Sequence, residues 1–124
     1  MKLSGVHHVS LNVHDTEEVG RFYIDVLGLE KLPRPDFGFP GMWLRSGGQE
    51  LHLMEVKDHQ APEGQHFAFK VEDLDRSIEE LTRKGIEVSK PRPLPGGARQ
   101  SFLRDPAGNI IELNEPGAPG QASR

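Results

Sequence analysis

Two eight-residue stretches decide the reading: His8-Val9-Ser10-Leu11-Asn12-Val13-His14-Asp15 and, 58 positions later, His66-Phe67-Ala68-Phe69-Lys70-Val71-Glu72-Asp73. Each runs His, apolar, small, apolar, polar, Val, polar, Asp. Such alternation belongs to a strand with one face in a core. Its recurrence within 124 residues points to a duplicated unit. The likeness continues past each strand. Val19, Phe22, Tyr23, Val26 and Leu27 recur at helical spacing after Asp15, with Glu18 placed as in a capping box and Gly28 as the stop. After Asp73, Leu74, Ile78 and Leu81 repeat the stripe, and Gly85 supplies the left-handed residue that ends a helix.

Alternating segments then predict strands over residues 29–34, 41–46 and 50–56 in the first half, and 86–89, 98–104 and 109–114 in the second. The last strands also match, Leu51-His52-Leu53-Met54-Glu55 with Ile111-Glu112-Leu113-Asn114-Glu115, at a shift of 60. The expected fold is therefore α+β, two tandem β-α-β-β-β modules in one domain. Module 1 covers about 5–56, a linker 57–65, module 2 about 66–115, and a frayed tail 116–124. Pro33 to Gly41 and Lys90 to Gly97 read as loops, and Asp105-Pro106-Ala107-Gly108-Asn109 as a hairpin turn without chemistry of its own.

Composition narrows the function. A chain of this length holds one core. With 15 Lys and Arg against 19 Asp and Glu, and no basic run, nothing tracks a phosphate backbone, so nucleic acid is not an expected partner. No apolar stretch nears the roughly 20 residues of a membrane span, and the N-terminus lacks a signal peptide's apolar centre. A cytoplasmic protein is expected. The absence of cysteine leaves only nitrogen and oxygen as metal ligands.

Strand parity supplies the candidates. His8 shares a face with Ser10 and Asn12, opposite Val9, Leu11 and Val13; His66, His52 and Glu112 likewise lie opposite apolar neighbours. One candidate sits near the start of the first strand and another in the last strand of each module. Three imidazoles and one carboxylate at repeat-equivalent positions suit a divalent ion, so His8, His52, His66 and Glu112 are the expected metal ligands. His7, His14 and His59 share no such symmetry and read as surface or structural residues. Phe37, Phe39, Met42 and Trp43 are candidates for an apolar wall, and Arg34, Arg45, Arg99 and Arg104 for contact with an anionic group.

These residues, with Phe22-Tyr23, Val26-Leu27-Gly28-Leu29 and the run from Phe102 through Asp105-Pro106 and Gly108-Asn109 to Ile111-Glu112-Leu113, resemble the vicinal-oxygen-chelate superfamily over residues 5–115. That group contains glyoxalase I, methylmalonyl-CoA epimerase, extradiol dioxygenases, fosfomycin-resistance enzymes and metal-free bleomycin-resistance proteins. The resemblance implies sheets curled round a metal cleft and a homodimer with sites at or near its interface, His8 and His52 of one chain meeting His66 and Glu112 of the other. It implies a divalent ion (Zn, Ni, Co, Mn or Fe) and no organic cofactor-binding residues. The ion would bind neighbouring oxygens of a small-molecule substrate in redox-neutral lyase or isomerase chemistry, with Glu112 as base. His52 is the departure, since bacterial glyoxalase I carries Glu there and the epimerases a different polar ligand. It is either a ligand or an acid-base residue, with Glu50 and Glu55 nearby in opposite or uncertain orientation. The subset His8, His66 and Glu112 also resembles the ligands of an Fe(II) extradiol dioxygenase. A drug- or metabolite-binding resistance protein is the non-catalytic alternative.

Overall fold

A computed structural model describes residues 1–117. Both modules form the expected order. Strand β1 (His8–Val13) leads through helix α1 (Thr16–Arg21) to β2 (Glu30–Leu32), β3 (Gly41–Ser46) and β4 (Gln49–Glu55). Strand β5 (His66–Lys70) leads through α2 (Leu74–Arg83) to β6 (Arg92–Pro93), β7 (Arg99–Arg104) and β8 (Ile110–Glu115). Each module makes its own four-stranded mixed sheet, ordered β1-β4-β3-β2 and β5-β8-β7-β6, with the first and last strands parallel and the rest antiparallel.

The apolar parity of the strands builds each core. In the first module Val13, Leu44, Leu51 and Leu53 are buried along with Val19 and Tyr23 of the helical segment; in the second, Leu103, Ile111 and Leu113 are buried along with Leu74 and Leu81 of α2. The first helix departs from regularity. At Phe22–Val26 it widens into a π turn in which the Leu27 amide donates to the Phe22 carbonyl at 3.2 Å. The wider turn places the consecutive residues Phe22 and Tyr23 both inside, their rings edge-on at 5.4 Å.

Both helices begin the same way. The Asp15 carboxylate accepts from the Glu18 amide at 3.1 Å, and Asp73 accepts from the Arg76 amide at 3.0 Å. A second carboxylate reaches each helix start from the last strand of its own module: Glu55 accepts from the Thr16 amide at 2.9 Å, and Glu115 from the Leu74 amide at 2.8 Å. These bonds satisfy amides that have no partner within the helix. Glu115 also holds Arg99, whose guanidinium reaches Asp75 as well. Replacing Glu55 with Ala is expected to cost about 1 kcal/mol, the usual worth of a helix cap. Thermal unfolding should register this as a Tm lower by a few degrees, and an unchanged Tm would show that Asp15 alone suffices.

The strand expected over residues 86–89 is not formed. The Ser89 amide donates to the Phe102 carbonyl at 2.9 Å, but the Phe102 amide donates to the Ser89 hydroxyl at 2.8 Å, not to a ladder carbonyl. Pro91 and Pro93 lack amide donors. Ladder pairing is confined to Arg92 and Pro93 in β6, inside the segment expected to be a loop, followed by a tight turn at Pro95–Gly97. The expected tail lies outside the described residues from position 118 onward.

The described residues divide into two compact units, 1–61 with Asp105–Gly108, and 62–104 with 109–117. The turn after β7 thus belongs with the first unit. There the Tyr23 hydroxyl donates to the Asp105 carboxylate at 2.7 Å, and Tyr23 and Asp105 are 0% and 4% exposed. Among the described residues, no helix is long and apolar enough to cross a membrane.

Candidate metal centre

The structure gathers the four sequence candidates into two pairs, one in each module. In the second module His66 opens β5 and Glu112 lies in β8, where the parallel register sets Ala68 beside Glu112 and His66 beside Ile110. The His66 Nε2 lies 3.1 Å from Glu112 Oε1. The other ring nitrogen, Nδ1, lies 2.9 Å from the Gly64 carbonyl oxygen, which can only accept. Nδ1 therefore carries a proton, and Nε2, aimed at Glu112, carries a second one when the imidazolium donates to the carboxylate and is bare when it serves as a ligand. This is the arrangement by which an outer partner fixes the tautomer of a metal-ligating imidazole.

Two donors each about 2.1 Å from one ion, at angles between a right angle and the tetrahedral value, lie roughly 3.0 to 3.4 Å apart. The His66 and Glu112 atoms already stand at such a separation. Either a proton or a divalent ion can occupy the place between them. Glu112 is only 6% exposed, and Asn114 Nδ2 donates to its second oxygen at 2.9 Å. Burial pushes the Glu112 carboxyl up, but hydrogen bonds from Asn114, Gln100 and His66, together with the His66 charge, outweigh it and hold the group below the usual carboxylate range. It stays ionised, as a ligand or base must. Beside this pair opens a cleft of about 710 Å³, lined by His66, Ile86, Ser89, Phe102, Arg104 and others, with the Phe102 ring edge-on to His66 at 5.3 Å.

The pair in the first module is built differently. The His8 and His52 rings stack at 4.1 Å with 16° between their planes, and Trp43 stacks on His52 at 4.5 Å and 11°. Register sets Trp43 of β3 directly beside His52 of β4, whereas His8 lies beside Glu50, two residues from Ser10, the β1 partner of His52, and reaches the ring from the same face. The His52 Nε2 lies 2.9 Å from Glu50 Oε1, so Nδ1 is the nitrogen that remains for a ligand. The His52 hydrogen bond is the main cause that holds Glu50 below the usual carboxylate range, against some burial; the charges of His7, His52 and Arg45 assist. The donors of both pairs suit a borderline or hard divalent ion. Among the described residues, no single cluster of three or more such side chains that could hold a metal is found.

Alternation alone is enough to place Glu50: two residues from His52, it must share that face. By the same rule Glu55 lies on the opposite face, where it caps α1. His7, expected to be a surface or structural residue, has its Nδ1 3.0 Å from His8 Nδ1. Of the candidate wall, Met42 is buried on the core side, while Trp43, Phe37 and Phe39 stay together. Arg99 is engaged by Asp75 and Glu115.

Comparison with known proteins gives a consistent result. The family model described as Glyoxalase/Bleomycin resistance protein/Dioxygenase superfamily matches residues 5–113. The uncharacterized protein YwkD of Bacillus subtilis is 32% identical over 129 residues, covering 93% of this chain and 99% of that protein. A lactoylglutathione lyase of Agrobacterium tumefaciens superposes with a TM-score of 0.77 at 26% identity, over 92% of this chain and 95% of the other. TnmS3, an antibiotic binding protein of a Streptomyces species, does so with a TM-score of 0.80 at 26% identity, over 94% and 99%.

Proposed function

Because the chain belongs to the glyoxalase, bleomycin resistance protein and dioxygenase superfamily, we propose that it is a metal-dependent enzyme of redox-neutral lyase or isomerase type acting on a small substrate with neighbouring oxygens. The observation that carries this reading is the His66 and Glu112 pair, with its fixed tautomer, its ionised buried carboxylate and its 3.1 Å separation. Two donors do not complete a resident ion's coordination, and the family resemblance implies that His8 and His52 of a partner copy supply the remainder in a homodimer. A bound divalent ion would polarise the substrate's oxygens and lower the cost of the charge that develops there. Glu112 holds and moves the proton at its Oε1, while Asn114 and Gln100 keep it oriented through hydrogen bonds. In this reading His52 is a ligand through Nδ1, held in orientation by Glu50 at Nε2, and Glu112 is the proton-transfer group.

A second reading makes His52, paired with Glu50, the acid-base residue and not a ligand. His8, His66 and Glu112 then remain as the two-His-one-carboxylate set suited to Fe(II) and oxygen. Elemental analysis of the tag-free protein separates these. About one Ni, Co, Zn or Mn per chain, with turnover of a hemithioacetal formed from methylglyoxal and a low-molecular-weight thiol, is the expected result. Iron in its place, with oxygen-dependent turnover of a catechol, selects the second. A protein purified without metal that also fails to take it up would overturn both and leave the binding role that TnmS3 is described as having.

A further inference from the structure

The first module carries a cluster of aromatic rings that core packing does not explain. Phe37 and Phe39, in the loop before β3, are 52% and 44% exposed. They lie 6.1 Å apart, and Phe37 lies 5.9 Å from Trp43 at 45°, so the rings continue outward from the stacked His52. Leaving these two phenylalanines half in water forgoes roughly half the 1.5 to 3 kcal/mol that full burial of each ring would supply. Over these rings lies a cation: the Arg34 guanidinium carbon is 5.0 Å from the Phe37 centroid and 5.1 Å from that of Phe39, and Nη2 donates to the Phe39 carbonyl at 3.2 Å. Its seat is specific. A Cβ at residue 41 would fall 2.7 Å from Arg34 Nη2 and 2.6 Å from the Leu53 carbonyl oxygen, so Gly41 is what lets the guanidinium lie against β3.

We propose that Arg34, Phe37, Phe39 and Trp43 form an anchor for the flat, conjugated body of a substrate that carries an anionic group remote from its reacting oxygens. This deepens the enzyme reading above and rests on it for the position of the reacting end. Flat rings gain from stacking on Phe37 and Trp43 and from the cation beside them. Nη2 makes one hydrogen bond here, and a guanidinium has five N–H donors with which to meet a carboxylate or phosphate in a planar, paired fashion. A saturated body would lose the stacking, and a neutral one the charge-assisted bonds.

The test uses naphthalene-2-carboxylate as probe, with calorimetry and the emission of Trp43, the chain's single tryptophan. Metal-free protein should bind it saturably. Decalin-2-carboxylate, equally charged but not flat, and naphthalene-2-carboxamide, flat but neutral, should each bind roughly tenfold more weakly. Arg34→Gln should lose about tenfold for the acid and little for the amide, a pattern that mere unfolding does not produce. Arg83→Gln, on the exposed face of α2, should change nothing. Equal binding of the decalin acid, an unaltered Arg34→Gln protein, or no saturable binding would overturn the anchor. So would a dimer that dissociates on Phe37→Ser/Phe39→Ser substitution, since the rings would then belong to contact between copies. Adding divalent metal back to the same protein and measuring its uptake separates the two readings: metal taken up by protein that does not bind naphthoate refutes the anchor alone, and naphthoate bound by a protein that never takes metal refutes the enzyme alone.

Discussion

A Glu112→Gln protein is expected to fold normally yet lose stoichiometric metal, with kcat/KM reduced by 10²-fold or more, on the order of what removal of a general base costs. Gln keeps the shape of the side chain and can still accept from Asn114 through its amide oxygen, so the packing of β8 survives. It lacks the charge. The position is 6% exposed, and donors around it hold the carboxyl below its usual range, so the site is organised for an anion and a neutral amide there leaves those donors facing a weaker acceptor. Metal content by elemental analysis, turnover and the circular dichroism spectrum are the three measurements. Retention of a full equivalent of metal would remove Glu112 from the ligand set. Two neighbouring substitutions refine the result. His52→Ala that keeps its metal but not its turnover would make His52 an acid-base residue, whereas loss of both would make it a ligand. Glu50→Gln should weaken metal retention roughly 10- to 100-fold where His52 is a ligand, and perturb turnover alone where it is the acid-base residue, because Glu50 acts through His52.

How far such roles could be read in advance depends on whether a property is periodic. Faces were legible because strand parity is strict: Val13, Leu51, Leu53, Ile111 and Leu113 are buried, and His66 and Glu112 come together across β5 and β8. Repeat symmetry added the correspondence of His8 with His66 and of His52 with Glu112, and the structure shows the same parity in both modules. It did not reveal that the pairs differ. One is a hydrogen-bonded imidazole and carboxylate and the other a stack of two imidazoles, because the last-strand member is Glu112 in one module and His52 in the other, and Trp43 extends the stack. Aperiodic features escaped altogether. The π turn has no sequence period to betray it, and the strand expected over residues 86–89 failed because two nearby prolines and one serine hydroxyl replaced ladder partners, which alternation does not weigh. Asp105 looked like a turn residue, and it is one, since its carboxylate accepts from the Ala107 amide at 2.8 Å. Its second role needed tertiary information, because Tyr23 lies 82 positions away.

That pair should have the largest effect on stability. In Tyr23→Phe the Asp105 oxygen loses a buried donor at 2.7 Å, and leaving such a group short of a partner costs about 1–3 kcal/mol at neutral pH. The loss should itself depend on pH. Burial foremost, then the Asp105 charge, then the hydrogen bond, raise the Tyr23 phenol well above its ordinary value of 10.0. A group whose folded value is raised contributes stability that is complete below its unfolded value and is lost as pH rises beyond it. From about pH 10 upward the wild type should therefore lose roughly 1.4 kcal/mol per pH unit through this group, since only the unfolded chain can release the proton. The Phe variant has no proton to release there, so its denaturant midpoint should start lower at pH 7 and approach the wild-type midpoint as the solution becomes alkaline. Tyr23 is the chain's single tyrosine, so phenolate absorbance reports on it alone. That absorbance should stay silent through pH 10 and rise only together with loss of the folded circular dichroism signal. A phenolate step near pH 10 in protein that is still folded would show that the hydroxyl is not locked against Asp105, and the stability cost of Tyr23→Phe would then fall toward zero.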